Sequence, residues 1–327
     1  MHERLHLPIE GLLADARRVL VAGAGGGYDV FAGLPIDHAL RALGKEVHLA
    51  NYSFVRPDLA ARVSPRSEVV IEDLLVGVRG PTRRPIGYFP EGHLAQWFYE
   101  QTGEERTVWL IDKTGIPAVR RAYEALVDRL EIDAVILCDA GVDSLMRGDE
   151  DGAGTYLEDT ISIAAVAGLS VPVKILAAIG VGTEVEEEVC HFRMLENVAA
   201  LTRRAAFHGV CALTPQTAAF QFYERVATEV FTAPGCDPSR IHSRIVPACR
   251  GVFGPHNWLD HPRQPNVFHS PLMALYWFFD VVKVHERSLV AELIADAPDF
   301  LAAARAARYG LAARKIRPRS SQPLPLR

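Results

Sequence analysis

The chain has 327 residues, 49% of them hydrophobic and 8% aromatic, and a formal net charge of −5 at pH 7. This composition is typical of a globular chain with a large core, and because it contains no block of basic residues we expect no nucleic-acid partner. Its five cysteines lack CxxC pairing, which argues against a disulfide framework or a zinc ribbon and favours the cytosol. The sequence has no signal-peptide pattern and no run of about 20 apolar residues, so we expect a cytoplasmic protein that does not bind membranes.

Short apolar runs alternate with helical patterns along the chain. The first unit is a strand "RVLVAGAG" at 18–25, the helical "PIDHALRALG" at 35–44 and a strand "KEVHLANYSF" from residue 45. Further strands are predicted at 106–115, 132–141, 171–184 and 240–249, with helices between the first three, two helices within 192–230 and a helical region at 288–309. Apolar strands alternating with helices predict an α/β fold, a mostly parallel, doubly wound (Rossmann-like) sheet with helices on both faces. We predict one such domain over residues 1–312 with a helical C-terminal part, and a disordered tail over 313–327, which is rich in Pro, Ser and Arg.

Small and polar residues follow the predicted strands, at the edge where open α/β sheets bind ligands. We therefore expect one shared cleft at that edge, because the carboxyl ends of parallel strands meet there. Arg147, among the acidic residues after the fourth strand, either ties its loop together or presents a fork to a phosphate or carboxylate. The candidate ligand-binding residues are Gly25, Gly26, Gly27, Asp29, Asn51, Lys113, Arg147 and Glu184.

The glycine-rich loop that follows the first strand does not match a dinucleotide-binding fingerprint. That fingerprint is G-x-G-x-x-G with an acidic residue at the end of the second strand, whereas the last glycine position falls on Tyr28 or Val30 and the second strand ends in Asn51. We therefore expect neither a nicotinamide nor a flavin cofactor. Three successive glycines either bring backbone N–H groups close to an anionic ligand or form a tight turn, and the sequence leaves both open.

The segment "CDAGVDSLMRGDEDGAGTYLED", residues 138–159, carries seven carboxylates in 22 residues. Crowded carboxylates repel one another unless a cation or a shared proton relieves them, so the segment predicts a Mg²⁺ site, a grip on sugar hydroxyls or an acid/base pair. Thr155-x-x-Glu158 has the spacing of a helix capping box, and Asp159 suits the first turn of the same helix. We assign catalytic roles to Asp139 and Asp143, and metal ligation to Asp139, Asp143, Asp149 and Glu150.

His93, in "YFPEGHLAQWF", is a third catalytic candidate, as a general base near a predicted loop. Thr183-x-x-Glu186 has the spacing of a second capping box. The sequence contains no G-x-S-x-G elbow and no HExxH pair, so serine hydrolases and zinc proteases have no local support.

Four motifs in order, "GAGGGYDVFAGLPI", "YFPEG", "GVDSLMRGDEDGAGTYLED" and "GVGTEVEE", resemble an uncharacterised prokaryotic domain family of unknown function. The resemblance spans roughly residues 18–300. It implies a soluble prokaryotic protein whose signature residues coincide with the strand ends selected above, and it implies no activity. Ala140 stands where we expect a glycine in relatives, which leaves Asp139 and Asp143 in place.

Two classes of function remain. The first is an enzyme, a hydrolase or transferase, that acts on a small polar metabolite, phosphorylated or nucleoside-like, through a carboxylate-rich and Mg²⁺-dependent site. The second is a non-catalytic nucleotide or metabolite sensor that uses the same pocket. Clustered carboxylates favour the enzyme, because a sensor needs few acids. The expected partner is a small-molecule ligand, and the sequence leaves a homo-oligomer open.

Overall fold

The computed structural model describes residues 3–83, 87–260 and 266–320. Its strands are β1 (Arg18–Gly23), β2 (Glu46–Ser53), β3 (Glu68–Ile71), β4 (Leu75–Val78), β5 (Val108–Asp112), β6 (Ala134–Ala140), β7 (Val173–Ile179), β8 (Phe207–Ala212), β9 (Gly254–His256), β10 (Val267–His269) and β11 (Leu275–Asp280). Its helices are α1 (Asp29–Ala32), α2 (Leu34–Ala42), α3 (Pro57–Val63), α4 (Pro90–Thr102), α5 (Ile116–Leu130), α6 (Leu157–Ala167), α7 (His191–Arg203), α8 (Ala218–Phe231), α9 (His242–Cys249), α10 (Val281–His285) and α11 (Phe300–Leu311). In the described part of the chain, no helix is long and apolar enough to cross a membrane.

One large sheet has the strand order β3-β4-β5-β2-β1-β6-β7-β11-β8. The five central strands β5, β2, β1, β6 and β7 are parallel, and β4, β3 and β11 each pair antiparallel with their neighbours. From β1 the chain passes to β2, continues to the edge strand β3, comes back through β4 to β5 and then crosses to β6 on the other side of β1. The predicted mostly parallel, doubly wound sheet is confirmed.

Apolar side chains cover both faces of this sheet, because successive residues of a strand point to opposite faces. In β1, Val19 and Val21 belong to one core, and Leu20 and Ala22 belong to the other. Helices α2, α4, α8 and α9 contribute to the first core, and α5, α6, α7 and α11 contribute to the second. All seven residues of β6 are consequently buried, which explains why its sequence is apolar except for Asp139.

Residues 240–249 were predicted as a strand, and this prediction is wrong because His242–Cys249 form helix α9. Every residue of α9 is buried, including the polar residues at its start, and Pro247 lies inside the helix, so the segment does not have the composition typical of a surface helix. Six strands, β3, β4, β8, β9, β10 and β11, were not predicted.

Neither predicted capping box forms. Helix α6 begins at Leu157 without a side-chain cap, because the Thr155 hydroxyl donates to Asp143 Oδ2 (3.0 Å) and Glu158 accepts from Lys113 Nζ (2.7 Å). No helix begins at Thr183, whose hydroxyl donates to the Gly180 carbonyl oxygen (2.7 Å). These side chains therefore bind Asp143, Lys113 and the Gly180 carbonyl oxygen, and not the first N–H groups of a helix.

The predicted disordered tail covers two kinds of residue. Residues 313–320 are described and lie along the acidic loop, residues 147–151, where the Arg317 N–H donates to the Asp149 carbonyl oxygen (2.7 Å) and Arg317 pairs with Glu150 as an isolated bridge. Residues 321–327 lie outside the described part of the chain.

Candidate functional site

Three carboxylates meet where strand order reverses between β1 and β6, the position at which doubly wound sheets bind ligands. Asp29 begins α1 directly after the glycine loop, Asp139 lies near the end of β6, and Asp159 lies in the first turn of α6. One oxygen from each of these three residues lies within 4.8 Å of the other two. The side chains are buried, with residue exposures of 8%, 3% and 2%. We call Asp29, Asp139 and Asp159 the acidic triad.

Backbone groups of the glycine loop and of β6 hold Asp29. The Gly25 N–H donates to Asp29 Oδ2 (2.6 Å), and the Ala140 N–H donates to Asp29 Oδ1 (3.3 Å). The glycine loop therefore directs a backbone donor at a carboxylate of the chain itself. A side chain at Gly25 would also meet the triad, because an added Cβ would lie 2.6 Å from Asp159 Oδ2.

The two other members of the acidic triad differ in how they are satisfied. Asp139 Oδ2 accepts hydrogen bonds from the hydroxyl and the backbone N–H of Ser144. Asp159 Oδ1 is buried and has no hydrogen-bond partner among the described residues. A buried acceptor without a donor is unfavourable, so this oxygen calls for a proton or a cation.

Asp143 and Glu184 flank the acidic triad, and the charge of Asp143 is one cause, after burial, of the raised pKa of Glu184. Asp143 Oδ2 accepts from the Thr155 N–H (2.7 Å), and Glu184 Oε2 accepts from the Val142 N–H (2.6 Å). Two neighbouring buried carboxyl groups are not readily ionised at the same time, because burial and mutual repulsion both oppose it. One of the two can therefore hold and release a proton beside the triad.

Burial and mutual repulsion raise the pKa of these carboxyl groups. Burial raises the pKa of Asp29 to about 8 and that of Asp143 to about 6. The pKa values of Asp139, Asp159 and Glu184 lie well above the ordinary range, first because of burial and then because of the neighbouring carboxylates. Negative charge in this site therefore needs a compensating cation or proton.

Asn51 connects the glycine loop to Glu91, a residue that sequence analysis did not select. Asn51 Nδ2 donates to the Gly27 carbonyl oxygen (2.8 Å) and to Glu91 Oε1 (2.6 Å). Burial raises the pKa of Glu91 to about 7. The "YFPEG" motif contains Glu91 and was the available signal for it.

Lys113 is fixed beside the start of α6. Its ammonium donates to Glu158 Oε1 (2.7 Å) and lies 4.5 Å from the ring centre of Phe54 and 3.8 Å from that of Phe300. Aromatic faces attract such a cation, so Glu158 and the two rings together hold the ammonium of Lys113. Glu158 is the residue directly before Asp159 in the sequence.

A scan against family models matches residues 20–312 to a family described as "Protein of unknown function (DUF1152)". The chain belongs to this family. No curated protein and no solved structure matches the chain. The matched DUF1152 residues include the acidic triad, Asp143, Glu184, Glu91 and Lys113, whereas Arg317 lies beyond them.

The remaining candidates of the DUF1152 domain have other partners. Asp149 Oδ1 and Glu150 Oε1 accept from the Arg317 guanidinium (2.8 and 2.5 Å), and Arg147 Nε lies 3.3 Å from Asp149 Oδ1. His93 Nε2 is hydrogen-bonded to the Gly87 carbonyl oxygen (2.7 Å). None of these four residues belongs to the group of carboxylates close enough to hold a metal ion together.

Proposed function

We propose that this protein is an enzyme, a hydrolase or transferase, that acts on a small polar metabolite, phosphorylated or nucleoside-like, with a Mg²⁺ ion held by the acidic triad. One observation carries the proposal: three buried carboxylates place oxygens within 4.8 Å of one another, and a buried Asp159 oxygen has no hydrogen-bond partner among the described residues. The location between β1 and β6 supports it, because ligands of doubly wound sheets bind at this reversal.

The spacing of the triad suits a small divalent cation. Mg²⁺ binds oxygen ligands at about 2.0–2.1 Å in an octahedron, so two of its ligands lie roughly 3 to 4 Å apart. The ion prefers to keep several waters and to bind one or two carboxylates together with substrate phosphates. A bound ion would supply Lewis-acid stabilisation of a phosphoryl or carbonyl oxygen.

Other residues around the triad suit the chemistry of such an enzyme. The Asp143–Glu184 pair, whose pKa values are raised first by burial, is suited to accept a proton from an attacking hydroxyl or water and return it to a leaving group. Lys113 is fixed by Glu158 and two aromatic rings and is suited to neutralise an anionic group of the substrate. In this proposal the Asp143–Glu184 pair transfers protons and Lys113 neutralises charge.

The test is binding of Mn²⁺ to EDTA-treated protein, measured by electron paramagnetic resonance, with Mg²⁺ as competitor. We expect one saturable site, and Asp159→Asn should weaken it at least about tenfold because a charged ligand is lost. Asp128→Asn, an equal change at an exposed position of α5, is the control. Equal Mn²⁺ affinity of Asp159→Asn and the parent would contradict the proposed site.

Turnover separates an enzyme from a sensor. Sugar phosphates, nucleotides and nucleosides are incubated with protein and Mg²⁺, and products are followed by phosphorus NMR and mass spectrometry. We expect a product that Asp159→Asn fails to form. Saturable binding of one of these compounds without any turnover would instead support a sensor.

A further inference from the structure

A second feature of the carboxyl edge is a cavity of about 740 Å³ beyond the end of β7. Its apolar lining includes Val185, Phe192, Phe268 and Leu272, whose exposed fractions are 52%, 37%, 56% and 38%. Contiguous apolar patches that remain exposed to solvent, especially in a concave surface, commonly mark ligand-binding or interaction sites. We call this feature the apolar cavity.

The apolar cavity adjoins the candidate site through shared segments of chain. The loop after β7 supplies Glu184 to the candidate site and Val181 and Val185 to the cavity. Val189 lines the cavity and lies next to Gly154, as Asp143 does. A Cβ added to Gly154 would lie 2.7 Å from a side-chain atom of each of them. A single molecule could therefore contact both places.

One end of the apolar cavity is positively charged. Arg319 lines it, and its guanidinium donates to the neutral Glu188 carbonyl oxygen (2.7 Å). The pKa of His191, which also lines the cavity, is lowered first by burial and then by the charge of Arg319. This charge favours an anionic group on the occupant.

We propose that the apolar cavity binds a small amphiphilic molecule with an aromatic or aliphatic body and an anionic group directed at Arg319. Its volume falls within the range of about 300–1,000 Å³ that is common for small-molecule pockets, which combine an apolar lining with a few polar groups. The inference rests on the proposed function in one respect: it gives the phosphorylated or nucleoside-like substrate, whose reactive group lies at the acidic triad, an apolar body that the cavity holds.

The test uses 1-anilinonaphthalene-8-sulfonate, whose aromatic rings and sulfonate match this chemistry. We expect saturable fluorescence with one probe per chain and energy transfer from Trp277, which lines the cavity. Leu272→Glu and Phe192→Glu should each weaken binding at least about tenfold, and Arg319→Ala should weaken it less. Leu12→Glu, at a residue that is 47% exposed and outside the cavity lining, is the matched control and should bind as the parent does.

Two outcomes would overturn the inference. Equal probe binding by Leu272→Glu and Leu12→Glu would overturn it. A parent protein that is a dimer, dissociates on Leu272→Glu and binds the probe only as a monomer would also overturn it, because a second copy of the chain would then cover the cavity. Asp159→Asn should retain probe binding, so failure of the metal proposal leaves this test intact. A change in probe affinity on adding Mg²⁺ to the parent, absent in Asp159→Asn, would support one substrate spanning both places.

Discussion

Gly25 is the residue at which backbone geometry and carboxylate chemistry meet. Its N–H donates to Asp29, and its Cα faces Asp159 so closely that an added Cβ would lie 2.6 Å from Asp159 Oδ2. Its backbone does not adopt the left-handed conformation, unlike Gly26 and Gly27. Glycine is therefore needed here because a side chain would collide with Asp159 of the acidic triad, and not because of the backbone conformation.

Gly25→Ala should weaken cation binding while leaving the fold intact. The new methyl group would push the Asp159 carboxylate out of the triad, so we expect Mn²⁺ affinity to fall at least about tenfold, with a stability change of about 1–2 kcal/mol. Mn²⁺ titration and urea unfolding measure the two effects. Gly11→Ala is the control, because an added Cβ there has no atom within 4 Å. Unchanged Mn²⁺ affinity in Gly25→Ala would argue against Asp159 as a ligand.

Sequence patterns selected some site residues and passed over others for a physical reason. Asp29, Asp139 and Glu184 were selected because they follow strands, and strand ends have a known place in this fold. Asp159 and Glu91 lie in first turns of helices, where acidic residues usually complement the helix dipole. Only the packing of those helices against the sheet reveals that the two side chains point into the site.

At the scale of elements, the segment 313–320 acts as a strap on the acidic loop. Arg317 contacts Asp149 and Glu150 from the loop and Glu196 from α7. The Glu150 side chain is fully buried, and Asn197 donates to it as well (2.7 Å). The strap therefore compensates a charge that burial alone would make costly.

Arg317→Ala should destabilise the protein markedly because it leaves the Glu150 carboxylate buried without its cation. Breaking a buried ion pair from one side costs about 3–5 kcal/mol, and we expect the lower end because Asn197 and two backbone N–H groups still contact Glu150. Chemical denaturation measures the loss. Arg314→Ala, at an exposed position, should change stability by less than about 0.5 kcal/mol. Similar losses in both variants would contradict the strap.

The central elements were predictable from sequence, and the peripheral ones were not. β1, β2, β5, β6 and β7 are short apolar runs buried on both faces, a pattern that few other structures produce. The edge strand β8 is half exposed and contains Gly209 at φ 116°, so neither composition nor alternation identifies it. Contacts from Arg317 to Asp149, 168 residues away, lie beyond any local pattern.

The whole molecule joins distant segments at the acidic triad. The segments around residues 29, 139 and 159 approach one another only in the folded sheet. Helix α9, which comes later in the chain than all three segments, contacts the end of the glycine loop. His242 in α9 is hydrogen-bonded through Nε2 to the Tyr28 carbonyl oxygen (2.9 Å) and through Nδ1 to the Tyr223 hydroxyl (2.6 Å). Burial lowers the pKa of His242 to about 4, so this connection stays uncharged at neutral pH.

The stability of the metal-free protein should fall as pH rises from 7 to 9. Asp29 has a pKa of about 8 in the folded chain, against an ordinary value of 3.8, so the folded state binds more protons than the unfolded state across this window. Stability is then lost as pH passes the folded-state pKa, by on the order of 1 kcal/mol for this group. Asp159→Asn should make the unfolding free energy depend less on pH, because one titrating carboxyl group and its repulsion of the neighbouring carboxylates are removed. Saturating Mg²⁺ should have the same effect on the parent, because the cation takes the place of the bound protons. Urea unfolding at pH 7 and 9 in EDTA or Mg²⁺ measures this pH dependence, and comparison of the parent with Asp159→Asn cancels the contribution of other groups, such as histidines, that titrate alike in both proteins. A parent in EDTA as stable at pH 9 as at pH 7, with the same result for Asp159→Asn, would mean that these carboxyls are ionised and compensated in some other way.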